Sequence, residues 1–463
     1  MTEPVGILGE IAAAKRAELE RRYEGVSPDA LRSKANPTKR SLAAALGQPG
    51  ARFILEIKRT SPSAGKIRTT VDPEAIARGY AGVADALSVL CDREFFGGSL
   101  DDLAAARAEF EGPILAKDFF IDVRQIAEAR IAGADAVLVM LSLLDDPAAR
   151  AMITEARRFG MDALVEVHDE AEMRRALALD APVIGINNRD LRDLSIDLAT
   201  TERLFRYAPD RLLISESGIA SRDDVEGLSP LVDGFLVGSS LMQANEPAQA
   251  ARELIFGRVK LCGMNRGADL SAARPAAFAG FVFVTVSPRH VTVDEAAPLA
   301  GDARSRGILP VGVFREAAVD DVAAIAGSLD LHAVQLHGIE DEDYVASLRH
   351  QLPDGCEVWT ALSVGRDPLV GKGGDRLLFD NNDGGSGLSF DWSRIARHPD
   401  LSRSLVAGGI GPHNARAASA LGAYAIDVGS AVDEQPGRKS PDKIAALFDN
   451  LRPAARERLR ACA

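Results

Sequence analysis

From Arg52 onward the chain alternates short apolar runs with longer stretches in which apolar residues return every three or four positions. FILEI, ALSVL, PILAK, AVLVM, ALVEV, VIGIN, LLISE and GFLVG form a first series of eight runs. Their starts lie roughly 20–35 residues apart, the span of one strand plus a crossover helix, which predicts a parallel sheet with helices outside it. The series then restarts. After the helix-like PAQAARELIF, which ends at Gly257, come RVKLC, FVFVT, LPVGVF, AVQLH, EVWTA, RLLFD, SLVAG and AYAIDVG. A repeat on this scale predicts two copies of one architecture. No Pro/Ser-rich linker separates them, so the predicted domains are 1–257 and 258–463. Residues 1–50 precede the first strand and are predicted as extra helices against one end of the first domain.

Alternation of strands and helices fits either an open doubly wound sheet or a closed barrel. The glycines discriminate. An open dinucleotide fold would place GxGxxG after its first strand, whereas here FILEIKRTSPSAG and VKLCGMNRG follow the first strands. In both halves the glycines gather after strands seven and eight, as SESGI with VGSSL and as VAGGIG with VGSAV. Those are the usual phosphate-binding turns of a (β/α)8 barrel. Glycine lets backbone N–H groups approach an anion closely, and a following helix N-terminus adds favourable potential. The fold class read from the sequence is therefore α/β: two (β/α)8 TIM barrels in tandem, the first with an N-terminal helical extension.

Composition narrows the function. With 46% hydrophobic and 26% charged residues, the chain can bury sizeable cores. A formal charge of −13 disfavours nucleic acid and anionic membrane as partners, because those surfaces require clustered Lys and Arg. No apolar run approaches the roughly 18 residues of a membrane helix. The four cysteines, Cys91, Cys262, Cys356 and Cys462, are too scattered for a disulfide framework or a CxxC metal site, which fits a reducing cytoplasm. The seven histidines form no HExxH, and no metal is expected.

Barrel active sites lie at the C-terminal ends of strands. In the first half polar residues break out of apolar runs there: Glu56 and Lys58, Lys117, Glu166, Asn187, and Glu216 with Ser217. Together they place ammonium and carboxylate groups at one mouth, an arrangement suited to acid–base work. The segments EIKRTSPSAG, DREFFGGS, ILAKDFFID, GINNRDLRDLSIDL, SESGI and FLVGSSLM resemble indole-3-glycerol-phosphate synthase over most of residues 53–242. That family closes an indole ring on carboxyphenylamino-deoxyribulose phosphate with loss of carbon dioxide and water. The resemblance implies that Lys117 is the general acid at the substrate ketone and that Glu166 serves the later dehydration. Glu56 and Lys58 would polarise the intermediate or hold its carboxylate; the division of the dehydration between Lys58 and Glu166 stays open. It also implies that Asn187 and Ser217 hydrogen-bond the substrate, that Arg189 braces the acidic residues, and that Glu216 belongs to the binding site. Ser61, Gly218, Gly238 and Ser239 would hold the phosphate. Phe96 and Phe119 suit the apolar wall for an anthranilate ring, although Phe96 serves equally well as a loop anchor.

In the second half Cys262 and Asp380 end the first and sixth runs. Sugar-phosphate isomerisation needs a base near one carbon and an acid near the ring oxygen, on opposite sides of the mouth. The segments VKLCG, TVSPRHV, VGVF, VQLHG, LLFDNNDGGSG and LVAGGIG resemble phosphoribosylanthranilate isomerase across residues 258–437. The resemblance implies an Amadori rearrangement with Cys262 as base and Asp380 as acid. It pairs Arg289 with the anthranilate carboxylate and makes Gly385, Ser386, Gly408, Gly409 and Ser430 the phosphate cradle. His337 either lines the pocket or is structural. Asn265, where the family often has Thr, and Gly429, where many members carry a second Ser, depart from the pattern in binding rather than in proton transfer.

The expectation is a bifunctional tryptophan-biosynthesis enzyme whose C-terminal barrel makes the substrate of its N-terminal barrel. Small phosphorylated anthranilate derivatives are the expected partners, with no cofactor and a monomeric chain. Two rivals are weaker. Histidine-pathway isomerases would show paired aspartates at the tips of strands one and five, and ribulose-phosphate epimerases would bring metal-ligand histidines. A catalytically silent scaffold has no reason to keep Lys117, Glu166, Cys262 and Asp380 together.

Overall fold

The computed structural model describes residues 6–61, 65–68, 71–190, 193–365, 369–381 and 389–457. It divides into two compact units, residues 1–254 with 453–463, and residues 255–452. Each contains a closed barrel of eight parallel strands.

In the first unit the strands are β1 (Arg52–Ile57), β2 (Ala86–Leu90), β3 (Ile114–Lys117), β4 (Ala136–Met140), β5 (Asp162–Val167), β6 (Val183–Asn187), β7 (Leu212–Glu216) and β8 (Gly234–Val237). They neighbour one another in chain order, and β8 closes on β1. Except at Ala199–Leu204, the described α-helices between these strands start where the sequence supplies a side-chain acceptor. Asp72, Ser99, Asp122, Asp145, Asp169 and Ser221 each accept a backbone N–H from the first turn, satisfying a donor the helix leaves open. An aspartate also precedes β2, β4 and β8. Asp85, Asp135 and Asp233 accept the N–H groups of Phe53, Ile114 and Leu213 at 2.9, 3.1 and 2.8 Å, so each staples the start of one strand to its neighbour.

The N-terminal extension serves both ends of this barrel. Helix α1 (Ile7–Arg22) is fastened at the mouth by Lys15, whose buried Nζ lies 2.8 Å from Asp92 and 3.0 Å from Asp118. Further along, Ser41 donates to Asp162 at the start of β5, at the opposite end. The chain from Pro453 completes the unit. Pro453 accepts from the N–H of Ala51, and Arg456 pairs with Asp233 at 2.9 Å, both side chains almost fully buried. Removing one member of a buried pair leaves the other charge uncompensated, so Arg456→Met should cost the first unit roughly 3–5 kcal/mol. Urea unfolding followed by ring-closing activity checks this; a midpoint equal to the parent's would contradict it.

In the second unit the strands are β9 (Val259–Cys262), β10 (Phe278–Val282), β11 (Leu309–Phe314), β12 (Ala333–Leu336), β13 (Glu357–Ser363), β14 (Arg376–Asp380), β15 (Leu405–Val406) and β16 (Ala425–Val428). Trp359 fills the core, fully buried and edge-on to Phe278 with ring centroids 5.3 Å apart. Two strands differ from the sequence reading. The second is FAGFV, not FVFVT, because Phe278–Val282 is the stretch in register with both Lys260–Cys262 and Leu309–Val313. Phe283 lies beyond it and stacks on Phe314 at 5.1 Å, so its apolar character belongs to the rim. Of SLVAG only Leu405 and Val406 are strand, since the chain turns at Gly408 and Gly409, both at positive φ. Among the described residues no helix is long and apolar enough to cross a membrane.

Candidate active sites

At the mouth of the first barrel a cavity of about 350 Å³ is lined by Glu56, Lys58, Lys117, Glu166, Asn187, Arg189, Ser217, Gly218, Gly238 and Ser239. Strand register explains the convergence. Each of these residues lies within two positions of its strand's C-terminal end, and parallel neighbours end at one level. Lys117 is the hub, with Nζ 3.0 Å from Glu216 and 3.4 Å from Glu56. Lys58 holds the other oxygen of Glu56 at 2.8 Å.

Three buried carboxyl groups thus face two ammonium groups, and their protonation divides accordingly. Burial pushes Glu56 up, but the ammonium groups of Lys58 and Lys117 outweigh it and bring the carboxyl down to about 2. Burial opposes charge on Lys117, yet Glu216, Glu56 and Glu166 together hold its ammonium well above the usual lysine range. Glu216 goes the other way. Burial, aided by Glu166 and Glu56 and resisted by Lys117, raises it to about 7. The site therefore combines a firmly charged ammonium, a firmly ionised Glu56 and, in Glu216, a carboxyl that titrates near neutrality. Oε1 of Glu166 and Oε1 of Glu216 are buried without hydrogen-bond partners among the described residues.

Local backbone makes this possible. A Cβ on Gly185, level with Glu166 on the adjacent strand, would overlap Oε1 of Glu216. Gly185→Ala should therefore swing Glu216 off Lys117 and lower ring-closure turnover by about 10–100-fold, since misplacement of an ångström is enough. Isomerase turnover should stay at the parent level; equal losses in both would contradict the placement. Gly238 is needed for the same reason, because a Cβ there would overlap Glu56. Ser217 has φ 65° and Gly218 φ 88°, a left-handed pair that turns the chain sharply at the rim. For a serine this conformation is strained and is held by its surroundings. Here Asn188 Nδ2 donates to the carbonyl of Ser217 at 3.0 Å and to Ser215 at 2.9 Å.

Other predicted residues find particular places. Phe96 and Phe119 both line the cavity, ring centroids 6.0 Å apart. Arg189 also lines it: its Nη1 holds the carbonyl of Leu194 at 2.9 Å, and the Glu56 carboxylate favours its charge against burial. Ser61 falls in the short Thr60–Ser61 strand, and its side chain is outside the described residues. Sequence reasoning missed Ile7, Leu8 and Ile11 of α1, which complete the apolar wall, and His168, whose Nε2 lies 3.4 Å from Glu166 and whose Nδ1 lies 3.0 Å from Glu172.

The second barrel opens on a cavity of about 370 Å³ that includes Cys262, Arg289, His337, Asp380, Gly408, Gly409 and Ser430. Cys262 and Asp380 end β9 and β14, strands far apart around the ring. Burial raises the Cys262 thiol, opposed mainly by the ammonium of Lys260. Asp380 lies 3.3 Å from His337 Nε2, which brings His337 to the site as a partner of the acid. The guanidinium of Arg289 lines the cavity while its Nε and Nη2 hold Asp433 at 3.0 and 2.7 Å. Gly408 and Gly409 form a left-handed turn held by Asn414, which donates to the Gly409 carbonyl and accepts from the Gly411 N–H. Gly385 and Ser386 lie outside the described residues. Asn265 donates to the Gly437 carbonyl at 2.7 Å, holding the hairpin that carries Asp433. Arg315 and Gln335 also line this cavity and were missed, as was Asp427; the alternation of VQLH, with Gln335 two positions before His337, was the available signal for Gln335.

Known proteins agree with this division. The model of indole-3-glycerol phosphate synthase matches residues 8–254, and that of N-(5'phosphoribosyl)anthranilate isomerase matches residues 259–450. The tryptophan biosynthesis protein TrpCF of Yersinia pestis is 44% identical over 406 residues, covering 86% of this chain and 84% of its own. That of Salmonella typhi is 41% identical over 452 residues, covering 96% and 99%. Among solved structures, a phosphoribosyl anthranilate isomerase from Thermus thermophilus is 31% identical, covering 42% of this chain and 98% of its own with a TM-score of 0.39. The chain belongs to the TrpCF family of tryptophan biosynthesis proteins, with an indole-3-glycerol phosphate synthase domain followed by a phosphoribosylanthranilate isomerase domain.

Proposed function

We propose that the two mouths divide the family's chemistry residue by residue, the second barrel working first. There Asp380 protonates the furanose oxygen of N-(5-phosphoribosyl)anthranilate and opens the ring to an iminium. Cys262, as thiolate, takes the proton from the sugar's second carbon, and the resulting enolamine tautomerises to the ketone. The observation that carries this reading is the placement of the thiol and the carboxyl on distant strands around one cavity. The N–H groups of the Gly408–Gly409 turn and Ser430 suit a phosphate, and Arg289 suits the anthranilate carboxylate.

In the first barrel Lys117 protonates the ketone of 1-(2-carboxyphenylamino)-1-deoxyribulose 5-phosphate as the aryl carbon attacks it. Carbon dioxide then leaves and aromaticity returns. Loss of water completes the indole, with Glu166 or Lys58 moving the protons. In this reading negative charge on the ketone oxygen grows toward the Lys117 ammonium, which Glu216 and Glu56 hold at the mouth. Asn187 and Ser217 orient the substrate, Phe96 and Phe119 flank its aromatic ring, and Gly218, Gly238 and Ser239 with Ser61 take the phosphate. The reading assigns no cofactor, a monomeric chain and a reducing cytoplasm. Its test is to supply the purified chain with N-(5-phosphoribosyl)anthranilate alone and follow both products; accumulation of the ketone without indole-3-glycerol phosphate would overturn it.

A further inference from the structure

The second barrel buries an ion pair for which this acid–base scheme has no task. Lys260 precedes Cys262 by two positions on β9, so both side chains project from the same face of the strand. Its side chain is fully buried, and Nζ lies 2.7 Å from Oδ2 of Asp427 on the adjacent strand β16. On the other side stands Gly280 of β10. A Cβ there would meet Lys260 Cε at 3.1 Å and Cys262 Sγ at 3.2 Å, so the lysine stem and the thiol share one pocket of space. Asp427 lines the cavity with Cys262, and its buried Oδ1 has no hydrogen-bond partner among the described residues. Stability does not account for such a pair, because each buried ion forfeits several kcal/mol of hydration and well-packed apolar side chains serve as well or better.

We infer that Lys260 is a positioning residue of the isomerase: its ammonium, steered by Asp427, shares the space beside the Cys262 sulfur and favours the thiolate against the burial that opposes it. The inference rests on the reading of Cys262 as the base. Other charged groups around the sulfur are already engaged. Lys439 is held by Asp433 at 2.7 Å and by the Gly429 carbonyl at 2.9 Å. Arg289 is fastened to Asp433, and Asp380 faces His337 at 3.3 Å. Burial works against the thiolate, Lys260 is the main opposing influence, Asp427 reinforces burial and Lys439 adds a smaller pull the other way. Removing the lysine charge and removing the aspartate charge therefore have opposite signs.

The experiment uses the full chain with Cys91, Cys356 and Cys462 changed to alanine, and measures the pH dependence of iodoacetamide alkylation of Cys262 without substrate. Lys260→Met should move the midpoint up by at least about one pH unit, tenfold in thiolate fraction. Asp427→Asn should move it down, and Lys260→Arg should stay near the parent. Isomerase kcat/KM in Lys260→Met should fall about tenfold or more at neutral pH and recover as pH rises. A parent midpoint in Lys260→Met, or an upward shift in Asp427→Asn, overturns the inference; if Lys260→Met does not fold, the sign for Asp427→Asn decides alone. Were Cys262 not the base, the alkylation midpoints would still move while the pH profile of turnover would not, which separates the two failures.

Discussion

Lys117→Ala is expected to reduce ring closure by about 10³–10⁴-fold in kcat/KM, or roughly 4–5.5 kcal/mol of transition-state stabilisation. Two effects combine. The proton donor to the ketone disappears, and the carboxyl groups it separates lose their counter-charge. Glu56, held down by Lys58 and Lys117, keeps only Lys58, and Glu216, already raised, stays protonated to higher pH. That second change limits the damage to folding, because a buried carboxyl without a partner neutralises rather than remaining charged. The barrel should therefore stay folded while its chemistry fails. Isomerisation by the same protein should proceed at the parent rate, giving accumulation of the deoxyribulose ketone. Assay of both products on N-(5-phosphoribosyl)anthranilate decides, and loss of both activities would refute the two-site assignment.

The strand-tip residues were legible because a charge that interrupts an apolar run at its C-terminal end has one natural destination in a barrel, the mouth. Glu56, Lys117, Glu166 and Asp380 all announce themselves in that way, and Cys262 does so as a thiol at a strand tip with a glycine beside it. What touches them does not. Leu8 and Ile11 reach the first cavity from a helix more than 100 residues away from Lys117 in the chain, and nothing in an amphipathic helix says which end of a barrel it will cover. Arg456 finds Asp233 across 223 positions for the same reason: the contact exists only after closure. Arg189 is paired with acids by charge alone, and Glu56 does act on it, but the Leu194 carbonyl that it also holds depends on a turn the charge pattern does not show. FVFVT was misplaced because rim packing and strand burial select the same residues, so periodicity cannot separate Phe283 from Phe281.

Cys262→Ala is the counterpart in the second barrel, and it should lower isomerase kcat/KM by about 10²–10⁴-fold. The expected loss rests on chemistry more than on structure, since Cys262 is only partly exposed and its removal opens little space. Asp380 remains in place to protonate the ring oxygen, so ring opening should survive and the failure should lie at proton removal from carbon. A substrate deuterated at the sugar's second carbon tests that step: the parent should show a primary isotope effect wherever carbon deprotonation limits the rate. Cys262→Ser should be nearly as impaired, because a hydroxyl beside Lys260 is far less acidic than a thiol. Ring closure from supplied ketone should run at the parent rate in both variants, the mirror image of Lys117→Ala. Isomerase turnover near the parent level in Cys262→Ala would remove the base assignment and turn attention to Asp427, which lines the same cavity and whose buried Oδ1 has no hydrogen-bond partner among the described residues.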